Sequence, residues 1–151
     1  MKIEDIIKST KTLSLGKRTV LNILYTQNLV SEKFAEVLKP YELSSEQYNV
    51  LRILRGQKAK PTNMCVIQER MLAKTSNTTR LVDKLLLKDL VTREVCPDNR
   101  RKMEVTITDK GLELLEELDP KVDHHEQLFA QNLSQEEQEL LNDLLERYRT
   151  I

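Results

Sequence analysis

The 151 residues are enough for one domain with a substantial core, and three glycines, four prolines and 4% aromatic residues favour helices over sheet. The formal net charge is zero, no run approaches the 18 or more apolar residues of a membrane span, and the N-terminus lacks the pattern of a secretory signal, so we expect a cytoplasmic protein. Cys65 and Cys96 are too few and too far apart for a disulfide framework or a Cys-x-x-Cys metal site.

The zero net charge conceals three segments of different sign. Residues 52–102 carry 13 Lys and Arg against 5 Asp and Glu, a charge of +8, whereas residues 103–151 carry 4 against 13, a charge of −9. Residues 1–51 are nearly neutral at +1. A basic block between neutral and acidic segments indicates a surface for a polyanion, most often nucleic-acid phosphate. The alternative is a chance excess of cations on a solvated surface.

Helical spacing of apolar residues, together with capping patterns, predicts four helices in the first half of the chain. They cover residues 17–39, 44–56, 64–72 and 76–88. Pro40 stops the first of them. Ser44 with Gln47 forms a capping box at the start of the second, which ends near Gly56.

Residues 90–107 predict a β-hairpin. Apolar and polar residues alternate at 90–96 and again at 103–107, on either side of a polar turn at 97–102. Two short helices followed by a two-stranded ribbon are the layout of a winged helix-turn-helix, and here that layout falls inside the basic block. The predicted fold class is therefore mainly α with a small β-hairpin wing.

Two further helices are predicted after the hairpin. Thr108 can cap a long helix, which Asp119-Pro120 kinks or breaks. Ser134 and Glu137 form a second capping box, which opens a last helix with leucines along one stripe.

The helix predicted at 76–88 has the two-sided character of a recognition helix. Its apolar residues share one arc of the helical wheel, and the opposite arc carries groups suited to base edges and phosphates. We predict DNA contacts from Ser76, Asn77, Thr79, Arg80 and Lys84. Arg80 suits a bidentate contact to guanine, Asn77 a contact to adenine, and Lys84 a phosphate. The alternative is an ordinary amphipathic surface helix, which would place apolar and polar side chains on the same two arcs of the helical wheel.

The polar turn at 97–102 carries three consecutive cations, Arg100, Arg101 and Lys102. At the tip of a ribbon they suit the DNA backbone or a narrow minor groove. Asp98 would repel phosphate, so we expect it to accept hydrogen bonds from an arginine and hold the turn in shape. The alternative is a charged hairpin tip that serves only solubility.

Several segments together resemble the MarR family of bacterial transcriptional regulators. They are Leu43-Ser44-Ser45-Glu46-Gln47 with Val50-Leu51, Ser76-Asn77-Thr78-Thr79-Arg80-Leu81-Val82-Asp83-Lys84-Leu85, Lys88-Asp89-Leu90-Val91-Thr92-Arg93, and Asp98-x-Arg100 with Val105-x-Ile107-Thr108-x-x-Gly111. The match runs from about residue 34 to 118, and the combination is specific although each piece alone would not be.

The resemblance implies a homodimer that binds a pseudo-palindromic site on double-stranded DNA, commonly with release by a small-molecule effector or an oxidant. It implies one MarR-like chain over 1–151, a DNA-binding lobe at 44–111 and dimerisation helices at 15–40 and 112–151. It also implies an effector cleft between the dimerisation helices and each lobe, near Tyr48.

The chain departs from the family pattern at four positions. Asp89 stands where glycine is usual, so the recognition helix has to end on an aspartate in the left-handed region. Leu72 stands where a glycine often lies in the turn between the two helices, and Leu86 and Leu87 replace residues that are usually charged. None of these changes removes a predicted DNA contact.

Other chemistries are not expected from this sequence. The run Asp123-His124-His125-Glu126 holds metal-ligand types, but adjacent helical residues point about 100° apart, so we predict a solvated helix face and no metal. No nucleophile, base and orienting group combine, and no Gly-rich phosphate loop is present, so we predict neither enzyme activity nor a cofactor. Cys65 and Cys96 are expected to be buried or inert.

The predicted function is a dimeric DNA-binding transcriptional regulator, responsive to a ligand or another signal, with repression favoured and activation left open. Two alternatives stay open. A thiol-based redox regulator would lose DNA binding in peroxide unless Cys65 or Cys96 is replaced. A winged-helix protein-interaction module would bind DNA weakly and without sequence preference, whereas a sequence reader prefers its site by about a thousand-fold or more.

Overall fold

The computed structural model describes residues 1–58 and 60–151. Within that part of the chain the elements are α1 (Ile3–Ile6), α2 (Leu15–Leu38), a 3-10 turn (Lys39–Tyr41), α3 (Ser45–Gly56), β1 (Thr62–Asn63), α4 (Met64–Arg70), α5 (Thr78–Leu87), β2 (Val91–Cys96), β3 (Asn99–Ile107), α6 (Asp109–Ala130) and α7 (Gln135–Tyr148). The predicted fold class, mainly helical with a winged lobe, is confirmed. None of the described helices is both long and apolar enough to cross a membrane.

Side-chain caps set the starts of the main helices. The Ser44 hydroxyl accepts the N–H of Gln47 at 3.1 Å, and the Gln47 side chain accepts the N–H of Ser44 at 2.9 Å. Ser134 and Glu137 exchange the same two hydrogen bonds at 3.2 and 2.8 Å. Each pair satisfies two N–H groups that have no partner within the helix. Both predicted capping boxes are therefore confirmed.

Helices α3, α4 and α5 pack with a three-stranded antiparallel sheet to form the lobe. The strand order is β1-β3-β2, with Thr62 opposite Val105 and Val91 opposite Ile107. The fully buried side chains of this core come from every layer of the lobe. They include Leu51, Leu54, Ile67, Val82, Leu85 and Val105.

The sheet differs from the predicted two-stranded hairpin. A third strand, β1, pairs with β3 through Thr62 and Asn63, and two residues are too few to produce a detectable alternation. β3 begins at Asn99 rather than at the predicted residue 103, and the turn consists of residues 97–98 only. β3 is therefore longer, and the turn between β2 and β3 shorter, than predicted.

Two helices also differ from their predicted bounds. α5 begins at Thr78 rather than at 76, because Asn77 is its N-cap. α6 continues through Pro120 from Asp109 to Ala130, so the predicted break does not occur. Its buried residues recur every three or four positions, at Gly111, Leu115, Leu118, Val122 and His125. Packing along this stripe outweighs the backbone hydrogen bond that proline removes.

The end of α5 and the start of α6 approach closely at the base of the wing. Asp89 has a φ of 57°, and the N–H of Leu90 donates to the carbonyl of Leu85 at 3.1 Å, so the helix does end on a left-handed aspartate. A Cβ placed on Gly111 would lie 2.5 Å from the Leu90 carbonyl oxygen and 2.7 Å from Ile107 Cγ1. Only glycine permits this approach.

We predict that Gly111→Ala lowers the free energy of unfolding by about 1–3 kcal/mol, since the new methyl group overlaps a backbone oxygen and a buried strand side chain. Urea denaturation followed by circular dichroism measures the change. Gly56→Ala is the matched control, because a Cβ at Gly56 meets no atom within 4 Å. Equal unfolding midpoints for the two variants would contradict the close approach at Gly111.

Candidate nucleic-acid interface

Helix α5 presents one side to the core and the other to solvent. Val82 and Leu85 are fully buried, whereas Thr79, Arg80 and Lys84 are exposed. The described part of the chain provides no ion-pair partner for Arg80 or Lys84. Their charges are therefore available to a ligand outside the protein.

Ser76 and Asn77 lie ahead of α5 rather than on its polar side. The Asn77 side-chain oxygen accepts the N–H of Arg80 at 3.1 Å and so caps the helix. A bidentate contact to adenine uses both the oxygen and the NH₂ group of an asparagine. In the capping geometry the oxygen of Asn77 is held against the backbone of Arg80, and the NH₂ group is its free donor. Ser76 is half-buried in the preceding turn, where its N–H donates to the Ala73 carbonyl at 3.1 Å.

The turn between α4 and α5 is held by two amide side chains that the sequence did not single out. Gln68 donates to the Lys74 carbonyl at 2.9 Å and accepts a hydrogen bond from the Thr78 hydroxyl. Asn49, buried on α3, accepts the N–H of Leu72 at 3.0 Å. Together these contacts fix the direction in which α5 leaves the turn, and the contact from Asn49 holds the backbone of Leu72.

An ion pair joins α5 to the wing. Arg93 on β2 donates to the Asp83 carboxylate at 2.6 Å. Asp83 lies on the exposed side of α5, where an unpaired carboxylate would repel phosphate. Arg93 offsets that charge and at the same time links the recognition helix to the ribbon.

The three wing cations lie in the first residues of β3. Arg100, Arg101 and Lys102 are all exposed. They fall in a register irregularity of the ribbon, between the pairs Cys96–Asn99 and Val95–Met103, where the regular ladder between β2 and β3 is interrupted. Asn99, not Asp98, shapes the turn, because its side chain accepts the N–H of Arg101 at 3.0 Å. The predicted role of Asp98 is therefore wrong: the described residues offer its carboxylate no hydrogen bond.

The histidine pair does not form the predicted solvated face. His125 is only 6% exposed, and its Nε2 donates to the Val30 carbonyl at 3.2 Å. Its ring lies 5.2 Å from that of Phe34 and 5.3 Å from that of Phe129, centre to centre, so His125 belongs to the packing between α2 and α6. His124 is exposed. The described residues contain no cluster of three or more potential metal ligands.

The two cysteines are separate and free. Cys65 is exposed in the first turn of α4 and Cys96 is half-buried at the end of β2, so of the expectation that they are buried or inert, burial is wrong for Cys65 and inertness stays a prediction. The redox alternative stays a prediction.

Comparisons with known proteins agree with this architecture. The MarR family profile matches residues 43–103, from the start of α3 into the wing. HTH-type transcriptional regulator MhqR of Bacillus subtilis (strain 168) is 28% identical over 120 residues, which are 78% of this chain and 80% of that protein.

Two solved structures extend the comparison over nearly the whole chain. A MarR transcription factor from Planctomyces limnophilus is 32% identical, with a TM-score of 0.70 over 90% of this chain and 98% of that one. The PcaV transcriptional regulator from Streptomyces coelicolor, solved in complex with its natural ligand, is 21% identical. It shares the fold, with a TM-score of 0.76 over 92% of this chain and 96% of that one.

MarR regulators bind DNA and are not enzymes, so the sequence expectation of no catalysis is confirmed at the level of the family. The exposed cations of α5 and of the wing lie on the lobe that the family profile covers. The chain belongs to the MarR family of DNA-binding transcriptional regulators.

Proposed function

We propose that this chain acts in the cytoplasm as a homodimeric repressor that places two lobes on a pseudo-palindromic operator and is released by a signal. The observation that carries the proposal is the set of exposed cations on one lobe, Arg80 and Lys84 on α5 and residues 100–102 on the wing. A helix of this kind fits the major groove, and a cationic ribbon beside it fits the backbone or the minor groove.

The individual contacts follow from the geometry of each side chain. Arg80 reads a guanine, and Thr79 and Lys84 contact bases or phosphates next to it. Ser76 and Asn77, at the N-terminus of α5, contact phosphate through their remaining donors. Arg100, Arg101 and Lys102 bind the DNA flanking each half-site.

Exposed apolar side chains outside the lobe support a second copy as partner. Helix α7 has no buried residue at all, although five of its apolar side chains line it, and α2 exposes a further set. The exposed residues are Leu15, Val20, Leu24, Tyr25 and Leu29 on α2, and Leu140, Leu141, Leu144, Leu145 and Tyr148 on α7. Apolar surface of this extent marks an interface. MarR-family members bind DNA as dimers, and we assign residues 15–40 and 112–151 to the dimer and 44–111 to the lobe.

A groove between α2 and the lobe is our candidate for the effector site. Its volume is about 940 Å³, and it is lined by Glu32 and Glu36 from α2, Gln47 from α3, and Lys84 and Leu87 from α5. Leu87 is 86% exposed, which gives the groove an apolar contact on the recognition helix itself. A small molecule bound there would contact both α2 and α5, so it would favour a different angle between them and weaken docking on DNA. The ligand-bound PcaV structure supports an effector in this fold.

Tyr48, near which the cleft was expected, is buried and does not line this groove. Its ring packs edge-on against Phe34 with centres 5.2 Å apart, and burial raises the pKa of its hydroxyl. We therefore place the effector beside Gln47, on the neighbouring part of α3.

We predict that the chain selects a palindrome from a random duplex pool and that Arg80→Ala relaxes the preference at one position in each half-site. The variant loses one bidentate base contact, which costs about 1–3 kcal/mol in binding free energy. Sequencing of the bound pool and fluorescence anisotropy measure the two effects. Arg149→Ala, the same change on the acidic C-terminal segment, is the control. Recovery of random sequence by the wild type would refute the proposed function.

We predict that Arg100→Ala with Arg101→Ala weakens binding to all sequences alike and reduces the slope of log affinity against log salt by about one to two units. The reason is that wing cations neutralise phosphates rather than read bases. The paired control, Arg147→Ala with Arg149→Ala, removes two exposed arginines from α7 and its C-terminal end. An unchanged salt slope in the wing variant would remove the wing from the interface.

A further inference from the structure

Helix α6 is shared between the lobe and the rest of the chain. Its first half starts at the wing and packs against α3, with Leu115 and Leu118 fully buried. Its second half packs against α2, where His125 contacts Phe34 and the Val30 carbonyl. The direction of the lobe relative to α2 is therefore set in part by the direct packing of α2 on α3, as between Phe34 and Tyr48, and in part by the stiffness of α6 at its centre.

The centre of α6 is also its weakest point. Pro120 has no N–H, so the carbonyl of Glu116 loses its partner within the helix. Helices bend most easily at such positions. The angle between the lobe and α2 would therefore vary unless other contacts hold α6 on either side of Pro120.

An ion pair holds α6 just before Pro120. Asp119 accepts two hydrogen bonds from Arg55, in the last turn of α3, at 2.8 and 2.9 Å. The two side chains are 34% and 42% exposed, so the pair is partly shielded from water. The hydrogen bonds to Asp119 raise the pKa of Arg55. Because the contact is bidentate, it fixes orientation as well as distance.

Tyr41, in the 3-10 turn that follows α2, contacts α6 both before and after Pro120. Its hydroxyl donates to Glu117 at 2.8 Å and accepts a hydrogen bond from Lys121, whose ammonium also lies 4.8 Å from the centre of the tyrosine ring. The hydrogen bond to Tyr41 raises the pKa of Lys121. Glu117 and Lys121 are one turn apart and lie on either side of Pro120, so a single aromatic ring spans the weak point.

We propose that the Arg55–Asp119 pair and the Tyr41–Glu117–Lys121 contact form a brace across Pro120 that sets the angle between the DNA-binding lobe and the dimerisation helices. Its members are positioning residues, since they act through α5 and the wing and do not touch DNA. The proposal rests on the proposed function only for its effect on operator binding. Two lobes at a fixed angle bind both half-sites at once, whereas lobes of variable angle lose part of that advantage.

The first test is a double-mutant cycle on operator binding. Arg55→Gln and Asp119→Asn should each weaken binding about tenfold, and the double variant should be no weaker than either, because each change removes the same contact. Asp123→Asn is the matched control, since it removes the same charge from an exposed position on α6 for which the described residues supply no ion-pair partner.

The second test measures the angle directly and needs neither DNA nor a dimer. Spin labels are placed at Glu94→Cys in the lobe and Gln127→Cys in the second half of α6, in a background with Cys65→Ser and Cys96→Ser. Dilution with unlabelled protein restricts the pulsed dipolar measurement to pairs within one chain. We expect a narrow distance distribution for the wild-type brace and a broader one for Asp119→Asn and for Arg55→Gln.

The outcomes separate the brace from the proposed function. Distance distributions that are equally narrow in all variants would overturn the brace, whatever happens to DNA affinity or melting temperature. A broader distribution in a chain that binds no palindrome would support the brace while refuting the operator proposal. Should Asp119→Asn fail to fold, Tyr41→Phe removes the hydroxyl that joins Glu117 to Lys121 across Pro120 and is held to the same two results.

Discussion

The burial of one side of α5 is the constraint on which the functional surface depends. Ten residues are too few for a stable helix in water, so α5 exists because Val82 and Leu85 fill the core of the lobe. The same packing sets the rotation of the helix about its axis. Arg80 and Lys84 consequently point outward, and Asp83 points to the wing, where Arg93 neutralises it.

Most of the fold could be predicted because its signals are local. The capping boxes at Ser44 and Ser134 need only residues three positions apart, and the two sides of α5 follow from the period of the helix. The left-handed end at Asp89 followed from a position where glycine is usual and is borne out by its φ of 57°. The family itself was visible in the spacing of short motifs.

The features that the sequence does not predict depend mostly on contacts between residues far apart in the chain. Gln68 contacts Thr78 across a turn, and Arg55 contacts Asp119, which is 64 positions away in the sequence. No periodicity in the sequence predicts either contact. The sequence does not predict β1, because a strand of two residues shows no alternation of apolar and polar side chains. The burial of His125 is different, since it continues the three- and four-residue spacing of the apolar stripe on α6, and that spacing was a usable signal.

In the proposed function, two lobes dock on DNA simultaneously, and their separation is set by the helices that carry them. This claim is tested most directly with the selected palindrome and a version with five extra base pairs between its half-sites. The insertion rotates one half-site by about half a turn away from its lobe. We predict a loss of affinity of about a hundredfold or more. Equal affinity for the two duplexes would rule out simultaneous docking of two lobes.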